Sequence, residues 1–282
     1  MPFLKYIFAL AILLISFSCK KYFSQANEAI FLKTDQIEVI TKPGQGYGSH
    51  KITDIWLYTN GFYRGAFPVG SNMPLMLEEG KVKLNLFAGI KNNGISDTRI
   101  NWLFYEPIEF DTVLPAGTNF TRKLSFKYRE SVTFKWLENF ELPGVSLVKS
   151  PISDTNLVFH TNDEHVFEGN KSVEFGLSGS ALRAQFESAV THSLPLSSGN
   201  VYLELDYKSN SDFFIGIESN SVYTEAIQIN AKENWNKIYI QLADAVNADK
   251  NTAMKKIIFR LNRSQSISEQ KVYIDNIKLI YI

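Results

Sequence analysis

The sequence predicts an all-β protein built from two β-sandwich units, and three observations support this prediction. From Ile37 onward, short runs of alternating, β-branched or aromatic residues recur every eight to fifteen residues. Gly, Pro, Asn and Asp separate these runs, and no segment keeps a helical period over a useful length. The chain has 282 residues, about twice the length of a typical single domain, so we expect two folded units.

The composition excludes several classes of protein. Hydrophobic residues make up 45% and charged residues 21% of the chain, which is typical of globular proteins and excludes a mostly disordered or multi-span membrane chain. Lys and Arg total 29, Asp and Glu also total 29, and no basic stripe is present, so we expect no nucleic acid partner. A single cysteine excludes an internal disulfide and a multi-cysteine zinc site.

The N-terminus has the pattern of a secretory signal. Lys5 precedes an apolar run over residues 6–15, which suits a signal peptide and is shorter than the ~20 residues of a membrane-spanning helix. The run leads through Phe17 and Ser18 to Cys19. A small residue followed by cysteine resembles a bacterial lipoprotein signal, and the bulky Phe17 makes it similar to the looser signal of Bacteroidota. The alternatives are an ordinary buried thiol or a signal that is cleaved without lipidation.

This resemblance implies a location for the protein. Residues 1–18 would be the signal peptide, Cys19 the lipidated N-terminus, and residues 19–35 a lipid-anchored tether. The anchor would be the membrane contact, so we expect an outer-membrane lipoprotein of the cell envelope. Lys20 and Lys21 follow the cysteine in place of an acidic tract. An acidic tract just after the cysteine resembles a surface-export signal of Bacteroidota lipoproteins. Because this tract is missing, the periplasmic leaflet is favoured over the cell surface.

The first unit, over residues 36–130, is predicted to be a small immunoglobulin-like sandwich. Its strand candidates are residues 37–41, 51–59, 82–88, 99–106 and 123–128. Residues 54–89 resemble small PEGA-like and carboxypeptidase-regulatory-like β-modules, which implies a non-catalytic sandwich. Aromatic residues are dense here: Trp56, Tyr58, Phe62, Tyr63 and Phe67. Most must lie in the core, and any exposed remainder would mark a protein-contact patch.

The second unit, over residues 133–282, is predicted to be a jelly-roll sandwich. Its strand candidates are residues 157–160, 172–177, 182–187, 201–208, 213–218, 226–230, 237–242, 256–262 and 272–282. In residues 201–208 the odd-numbered side chains are apolar and are expected to face the core, whereas Glu204, Asp206 and Lys208 are expected to face outward.

Four motifs of the second unit occur in the order seen in one family of jelly rolls: Phe140-Glu141, Glu168-Gly169, Trp235 and Asp275-Asn276. In this order they resemble the galactose-binding-like domains found in many carbohydrate-binding modules. The resemblance implies the fold and also a structural calcium site made by Glu141, Glu168 and Asp275. The fold serves glycan binders, enzyme accessories and structural domains alike, so it names no ligand.

No catalytic signature is present in the sequence. The motifs His-Glu-x-x-His, Gly-x-Ser-x-Gly and the P-loop are all missing, so we expect no enzymatic activity. Asp206, Glu218 and Glu225 would form an acid–base pair only if the fold brought two of them together. His160 and His165 are five residues apart, which suits neither one helical face nor one strand face, so a solvated loop is expected there.

The candidate ligand-binding residues are aromatic, because flat apolar rings stack on the C–H faces of sugars. They lie in the second unit near Asn and Gln side chains: Tyr202, Phe214, Tyr223 and Trp235. The favoured hypothesis is a non-catalytic envelope protein that binds a glycan through the jelly roll. The first alternative is a structural or assembly partner of another envelope protein, and the second is a glycan hydrolase.

Overall fold

The computed structural model describes residues 30–75, 82–113, 117–162 and 164–282 and confirms the all-β fold. The described residues form 22 strands and one short helix. The predicted signal peptide and Cys19 lie outside the described residues. Among the helices of the described part, none is long and apolar enough to cross a membrane.

The first unit contains strands β1 to β10. Their bounds are β1 (Ile30–Lys33), β2 (Ile37–Ile40), β3 (Asp54–Thr59), β4 (Phe62–Pro68), β5 (Asn72–Leu75), β6 (Val82–Lys91), β7 (Arg99–Asn101), β8 (Ile108–Thr112), β9 (Asn119–Thr121) and β10 (Leu124–Lys127). One sheet has the order β4-β3-β6-β7 with β8 paired to β6, and the others are β5-β1-β9 and β10-β2. Leu32, Leu57 and Phe126 come from different sheets and share one core.

Strand β1 corrects the C-terminal end of the predicted tether, residues 19–35. It pairs antiparallel with β5 and parallel with β9, and Leu32 is fully buried. The strand candidates do not include β4 or the shorter β1, β5, β8 and β9, which have only three to five residues each. Such short runs carry little periodicity and become strands through the partners that the tertiary fold supplies.

The second unit contains strands β11 to β22 and helix α1. Their bounds are β11 (Thr133–Glu138), β12 (Leu147–Lys149), β13 (Val158–His160), β14 (Ser172–Leu177), β15 (Arg183–Ser188), β16 (His192–Ser193), β17 (Val201–Ser209), β18 (Phe213–Ser219), β19 (Val222–Ile229), β20 (Lys232–Gln241), α1 (Ala243–Asn247), β21 (Met254–Asn262) and β22 (Gln270–Tyr281). One sheet has the order β13-β14-β22-β17-β20 with β11 on β22. The other has the order β12-β15-β21-β18-β19 with β16 on β21.

The two sheets of the second unit enclose a single apolar core, as expected of a jelly roll. The odd-numbered residues of β17, from Val201 to Tyr207, face this core together with Phe175 and Phe259. Alternation therefore sends the even-numbered residues of β17 to the opposite side of the sheet. The predicted inward phase of this strand is confirmed.

The outward side of β17, β20 and β22 packs against the first unit. Tyr202, Tyr239 and Ile280 are part of the core of the first unit, where the Tyr202 ring meets the Trp102 ring edge-on with centroids 4.8 Å apart. We call this side the covered face. All side-chain hydrogen bonds seen between the described residues of the two units end on β17, β20 or β22.

Candidate functional site

The outward side of the second sheet of the jelly roll makes no hydrogen bond to the first unit among the described residues, and we call it the open face. The inward residues of this sheet, such as Phe186, Ile215 and Phe259, lie in the jelly-roll core. Alternation places the intervening residues outward. They are Gln185 and Glu187 on β15, Lys256, Ile258 and Arg260 on β21, and Phe214, Gly216 and Glu218 on β18.

A row of polar side chains crosses the open face. Arg260 lies opposite both Gln185 and Phe214 in strand register, and Phe214 lies opposite Gln228. The Arg260 Nε donates to Gln185 Oε1 at 2.7 Å, and Gln185 Nε2 donates to the Ser150 hydroxyl at 3.1 Å. The long side chains thus hold each other in place across three strands.

Tyr223 packs on this row from β19. Its ring lies under the Arg260 guanidinium, with Cζ 3.6 Å from the ring centroid. Gly216 leaves room for the ring, because a Cβ atom built there would lie 2.3 Å from a Tyr223 ring carbon. The Tyr223 hydroxyl is buried and finds no hydrogen-bond partner among the described residues.

Burial shapes the electrostatics of this pair. Burial raises the pKa of Tyr223, while the Arg260 charge acts in the opposite direction. Burial also lowers the pKa of Arg260. Beside them, Lys256 Nζ forms an ion pair with Glu187 at 2.5 Å. The open face therefore combines a fixed cation, an ion pair, amide groups and two aromatic rings.

Of the four candidate ligand-binding residues, the open face brings together Phe214 and Tyr223, both of which are half-buried. Tyr202 is a correction, because it is 4% exposed and packs against Trp102 and Phe104 on the covered face. Its phase relative to the jelly-roll core was predicted correctly, but the first unit covers that side of the strand.

Trp235 also lies apart from the open face, since it belongs to β20. It is half-buried, and its ring centroid lies 5.6 Å from that of Phe167. Lys208 Nζ lies 5.9 Å from the Trp235 centroid. The structure therefore separates Trp235 from Phe214 and Tyr223.

The outward carboxylates of β17 belong to a buried polar cluster on the covered face. Glu204 and Asp206 are fully buried, and Lys237 Nζ lies 3.6 and 3.5 Å from their carboxylate oxygens. The Tyr128 hydroxyl of the first unit donates to Glu204 at 3.1 Å, and the Ser49 hydroxyl donates to Asp206 at 2.7 Å. Glu204 and Asp206 thus face outward from the jelly-roll core as predicted, but the first unit covers them and keeps them from solvent.

Lys278 completes this cluster. Its Nζ donates to the Tyr47 backbone carbonyl and to the Tyr128 hydroxyl. Burial lowers the pKa of Lys278 to about 8, while the charge of Glu204 acts in the opposite direction. Burial raises the pKa of Tyr128 well above its usual value.

The three carboxylates considered as an acid–base pair do not form one site. Asp206 lies in the buried cluster of the covered face. Glu218 and Glu225 lie on the strands of the other sheet, opposite Tyr223 and Gly216 respectively. The fold therefore brings neither of them to Asp206.

The residues expected to bind calcium surround one loop, residues 167–171. Asp275 Oδ2 accepts from the backbone N–H groups of Phe167 and Glu168 at 3.3 and 3.2 Å, and its Oδ1 accepts from the N–H of Asn276. Burial raises the pKa of Asp275 to about 7, although these N–H groups act in the opposite direction. Both carboxylate oxygens of Asp275 thus serve N–H donors.

The same holds for Glu141 on the other side of the loop. Its Oε1 accepts from the N–H groups of Asn170 and Lys171 at 2.7 and 2.9 Å. Ca²⁺ needs six to eight oxygen ligands, and these carboxylate oxygens already accept N–H groups of the loop. The described residues also contain no group of three or more His, Cys, Asp or Glu side chains placed to hold a metal. Calcium binding by Glu141, Glu168 and Asp275 stays a prediction.

The two histidines near this loop pack against the covered-face sheet. His160 Nε2 lies 2.9 Å from a Glu174 carboxylate oxygen. The His165 ring stacks on Tyr273 with centroids 4.6 Å apart, and the two imidazole centroids are 4.7 Å apart. Both are half-buried, so the expected solvated loop is in fact packed on the sheet.

Arg260, Gln185, Glu187 and Lys256 are the site residues that the sequence analysis missed. A partial signal exists, because in residues 183–187 and 259–262 polar residues alternate with apolar ones. This alternation places them on the same face as Phe214. The sequence candidates were aromatic residues, so they do not include the charged and amide side chains that hold Tyr223.

Comparisons with known proteins find solved structures that are similar to about half of this chain. No protein-family model and no curated protein matches the chain. TmCBM61 in complex with β-1,4-galactotriose is 12% identical with a TM-score of 0.33, and the match covers 48% of this chain and 87% of that chain. The family 11 carbohydrate-binding module from Clostridium thermocellum, in complex with a β-1,3-1,4-mixed-linked tetrasaccharide, is 14% identical with a TM-score of 0.35, covering 50% and 92%.

The K2 cleaved adhesin domain of Lys-gingipain is 10% identical with a TM-score of 0.37, and the match covers 54% of this chain and 98% of that chain. Because these identities and scores are low, none of the three assigns a function to this chain.

Proposed function

We propose that the protein is a non-catalytic glycan-binding protein and that the open face of the jelly roll is its binding surface. One observation carries this proposal: the buried Tyr223 hydroxyl, beside the Arg260 guanidinium, has no hydrogen-bond partner among the described residues and belongs to a polar row that the first unit leaves uncovered. An unpaired buried hydroxyl costs about 1–3 kcal/mol, so a ligand that moves the side chains covering it and supplies a partner gains this energy on binding.

The surrounding groups suit the chemistry of a saccharide. The half-buried Phe214 offers an apolar ring for the C–H face of a sugar. Gln228 and Arg260 flank this ring in strand register and offer hydrogen-bond donors for hydroxyl groups. Binding sites with few polar groups placed around apolar surfaces are typical of small-molecule recognition.

Calorimetric titration of the full chain with β-1,4-galactotriose and a mixed-linked β-glucan tetrasaccharide tests this proposal. We expect binding that weakens about tenfold in Tyr223→Phe, because the variant removes the hydroxyl and leaves the ring in place. Tyr63→Phe, on the first unit, is the matched control and is expected to bind as the wild type does. Equal affinity of the wild type and Tyr223→Phe, or turnover of the glycan, would contradict the proposal.

A second candidate function, contact with another envelope protein, is favoured by an exposed aromatic cluster on the first unit. Phe62 and Tyr63 are 68% and 50% exposed. The Tyr63 centroid lies 5.5 Å from that of Trp56 and 5.2 Å from that of Tyr58, which in turn lies 5.2 Å from Phe87. Exposed clusters of this kind are enriched in protein interfaces.

Variants separate the two functions. Under the partner function, Phe62→Ser/Tyr63→Ser would lose a stoichiometric partner from envelope extracts and would keep any glycan binding. Tyr223→Phe would keep the protein partner and would bind glycan more weakly. An unchanged set of partners in the serine variant would contradict the partner function.

The proposal includes anchoring in the cell envelope through Cys19, with the periplasmic leaflet of the outer membrane favoured. The sequence pattern around Cys19 supports this part. Mass spectrometry of the membrane fraction is expected to detect an acylated peptide that begins at Cys19. A soluble product with a different N-terminus would contradict the anchor.

A further inference from the structure

A cleft of about 530 Å³ separates the edge of the jelly roll from the loops of the first unit. β20 and the end of β19 form one wall, and the open-face residues Phe214, Tyr223 and Arg260 do not line the cleft. Lys51, Thr53, Lys91 and residues 93–96 form the other wall. Its volume falls in the range of small-molecule sites, which is ~300–1,000 Å³.

The cleft is lined by four lysines and, among the described residues, by no Asp or Glu. Lys237 belongs to the buried cluster and has Glu204 and Asp206 as ion-pair partners. Within the described part of the chain, Lys51, Lys91 and Lys232 have no ion-pair partner. Three ammonium groups thus face one cavity without a counter-charge, and an anion would relieve their repulsion.

The charges of Lys91 and Lys232 lie close enough to Lys51 to affect its pKa. Burial lowers the pKa of Lys51, and the charges of Lys232 and Lys91 lower it further. The Lys51 Nζ donates to Asn236 Oδ1, which holds the lysine against β20. Lys91 Nζ reaches the Ser96 hydroxyl at 3.4 Å. Lys51 and Lys91 are therefore positioned by neutral partners.

The walls of the cleft are joined by hydrogen bonds between the units. The Asn93 N–H donates to the Tyr239 carbonyl at 2.9 Å, and the Gln241 N–H donates to Asn93 Oδ1 at 2.8 Å. The Lys51 N–H donates to the Tyr239 hydroxyl at 2.9 Å. These hydrogen bonds tie the wall from the first unit to β20, so the cleft is formed before any ligand arrives. A preformed cleft reduces the loss of conformational entropy on binding.

We propose that this cleft binds an anionic saccharide, with a carboxylate or sulfate group placed among Lys51, Lys91 and Lys232. Neutral side chains of the same walls, including Asn230 and Asn236, are available for hydroxyl groups. The saccharide part of the proposal rests on the proposed function, whereas the anionic part rests on the cleft alone.

The test is calorimetric titration of the full chain with trigalacturonic acid, galactose 6-sulfate, inorganic sulfate and the neutral β-1,4-galactotriose. We expect the wild type to bind an acidic saccharide, more weakly as salt concentration rises. Lys91→Gln/Lys232→Gln is expected to bind it at least about tenfold more weakly, because two charged contacts are lost. The first two ligands distinguish carboxylate from sulfate.

The matched control is Lys127→Gln/Lys250→Gln, which removes the same charge from two exposed lysines outside the cleft. It is expected to bind the acidic saccharide as the wild type does, and thermal melting of both variants checks that they are folded. Equal loss in both variants, equal binding by the wild type and the cleft variant, or binding of inorganic sulfate only would overturn the proposal.

The two proposals fail separately. Binding of galactotriose but of no acidic saccharide would overturn the cleft proposal and leave the open face as the glycan site. Binding of acidic saccharides that is lost in the cleft variant and kept in Tyr223→Phe would support the cleft, whatever the open face binds.

Discussion

The two outer faces of the jelly roll follow the same alternating pattern, but the first unit packs on only one of them. On the covered face, Glu204 and Asp206 are fully buried and paired with Lys237 and with hydroxyl groups of the first unit. On the open face, Glu218 is half-buried, with no hydrogen bond or ion pair to another described residue. Alternation tells which side of a strand is turned away from the jelly-roll core, but a second unit decides whether that side meets water.

The contacts between the two units also decide which form of the protein is suitable for binding experiments. The isolated second unit would expose Tyr202, Tyr239 and Ile280, which lie in the core of the first unit in the whole chain. It would also leave Glu204 and Lys278 without the Tyr128 hydroxyl. Binding experiments therefore use the full chain.

The largest difference between the faces is expected from removing one carboxylate on each. Glu204→Ala removes one of the two buried carboxylates beside Lys237 and the acceptor of the Tyr128 hydroxyl, so the free energy of unfolding should fall by about 3–5 kcal/mol. Glu218→Ala on the open face should change it by at most about 1 kcal/mol. Chemical denaturation of both variants measures these values. Similar losses in the two variants would mean that the faces do not differ as described.

An intermediate effect is expected from the glycine beneath Tyr223. In Gly216→Ala the new methyl group would lie 2.3 Å from the Tyr223 ring and 2.7 Å from the Thr224 carbonyl oxygen. The ring must move, which should reduce the free energy of unfolding by about 1–3 kcal/mol and weaken glycan binding at the open face. Gly199→Ala is the control, since a Cβ there meets no atom within 4 Å. Unchanged stability and binding in Gly216→Ala would show that Tyr223 does not need this position.

An effect of similar size is expected from the pH dependence of the covered face. The pKa of Lys278 is lowered from 10.5 to about 8 in the folded protein, so the folded state binds this proton less tightly than the unfolded state. The stability contributed by Lys278 is therefore fully present above pH 10.5 and is lost as the pH falls through 8. Between these values, the free energy of unfolding should rise by roughly 1–3 kcal/mol more in the wild type than in Lys278→Met.

Denaturation at several pH values between 8 and 10.5 measures this difference. Parallel curves for the wild type and Lys278→Met would show that Lys278 is not desolvated by the first unit.

The alternating residues of the sequence determined most of the strands and the core of the jelly roll. Val201, Leu203 and Leu205 face the core as their spacing predicts, and Phe214 turns outward beside an inward Phe213. These outcomes are local, because in a β-strand neighbouring side chains point to opposite sides whatever the rest of the chain does.

Only the tertiary structure decided which outward residues are exposed and which meet each other. It buried Tyr202 and Asp206 against the first unit and placed Tyr223 under Arg260, although 37 residues separate these two in the sequence. The lysine-lined cleft likewise joins Lys91 of one unit to Lys232 of the other. Such pairings depend on sheet order and on the docking of the two units, and a single sequence holds no periodic signal for contacts between distant strands.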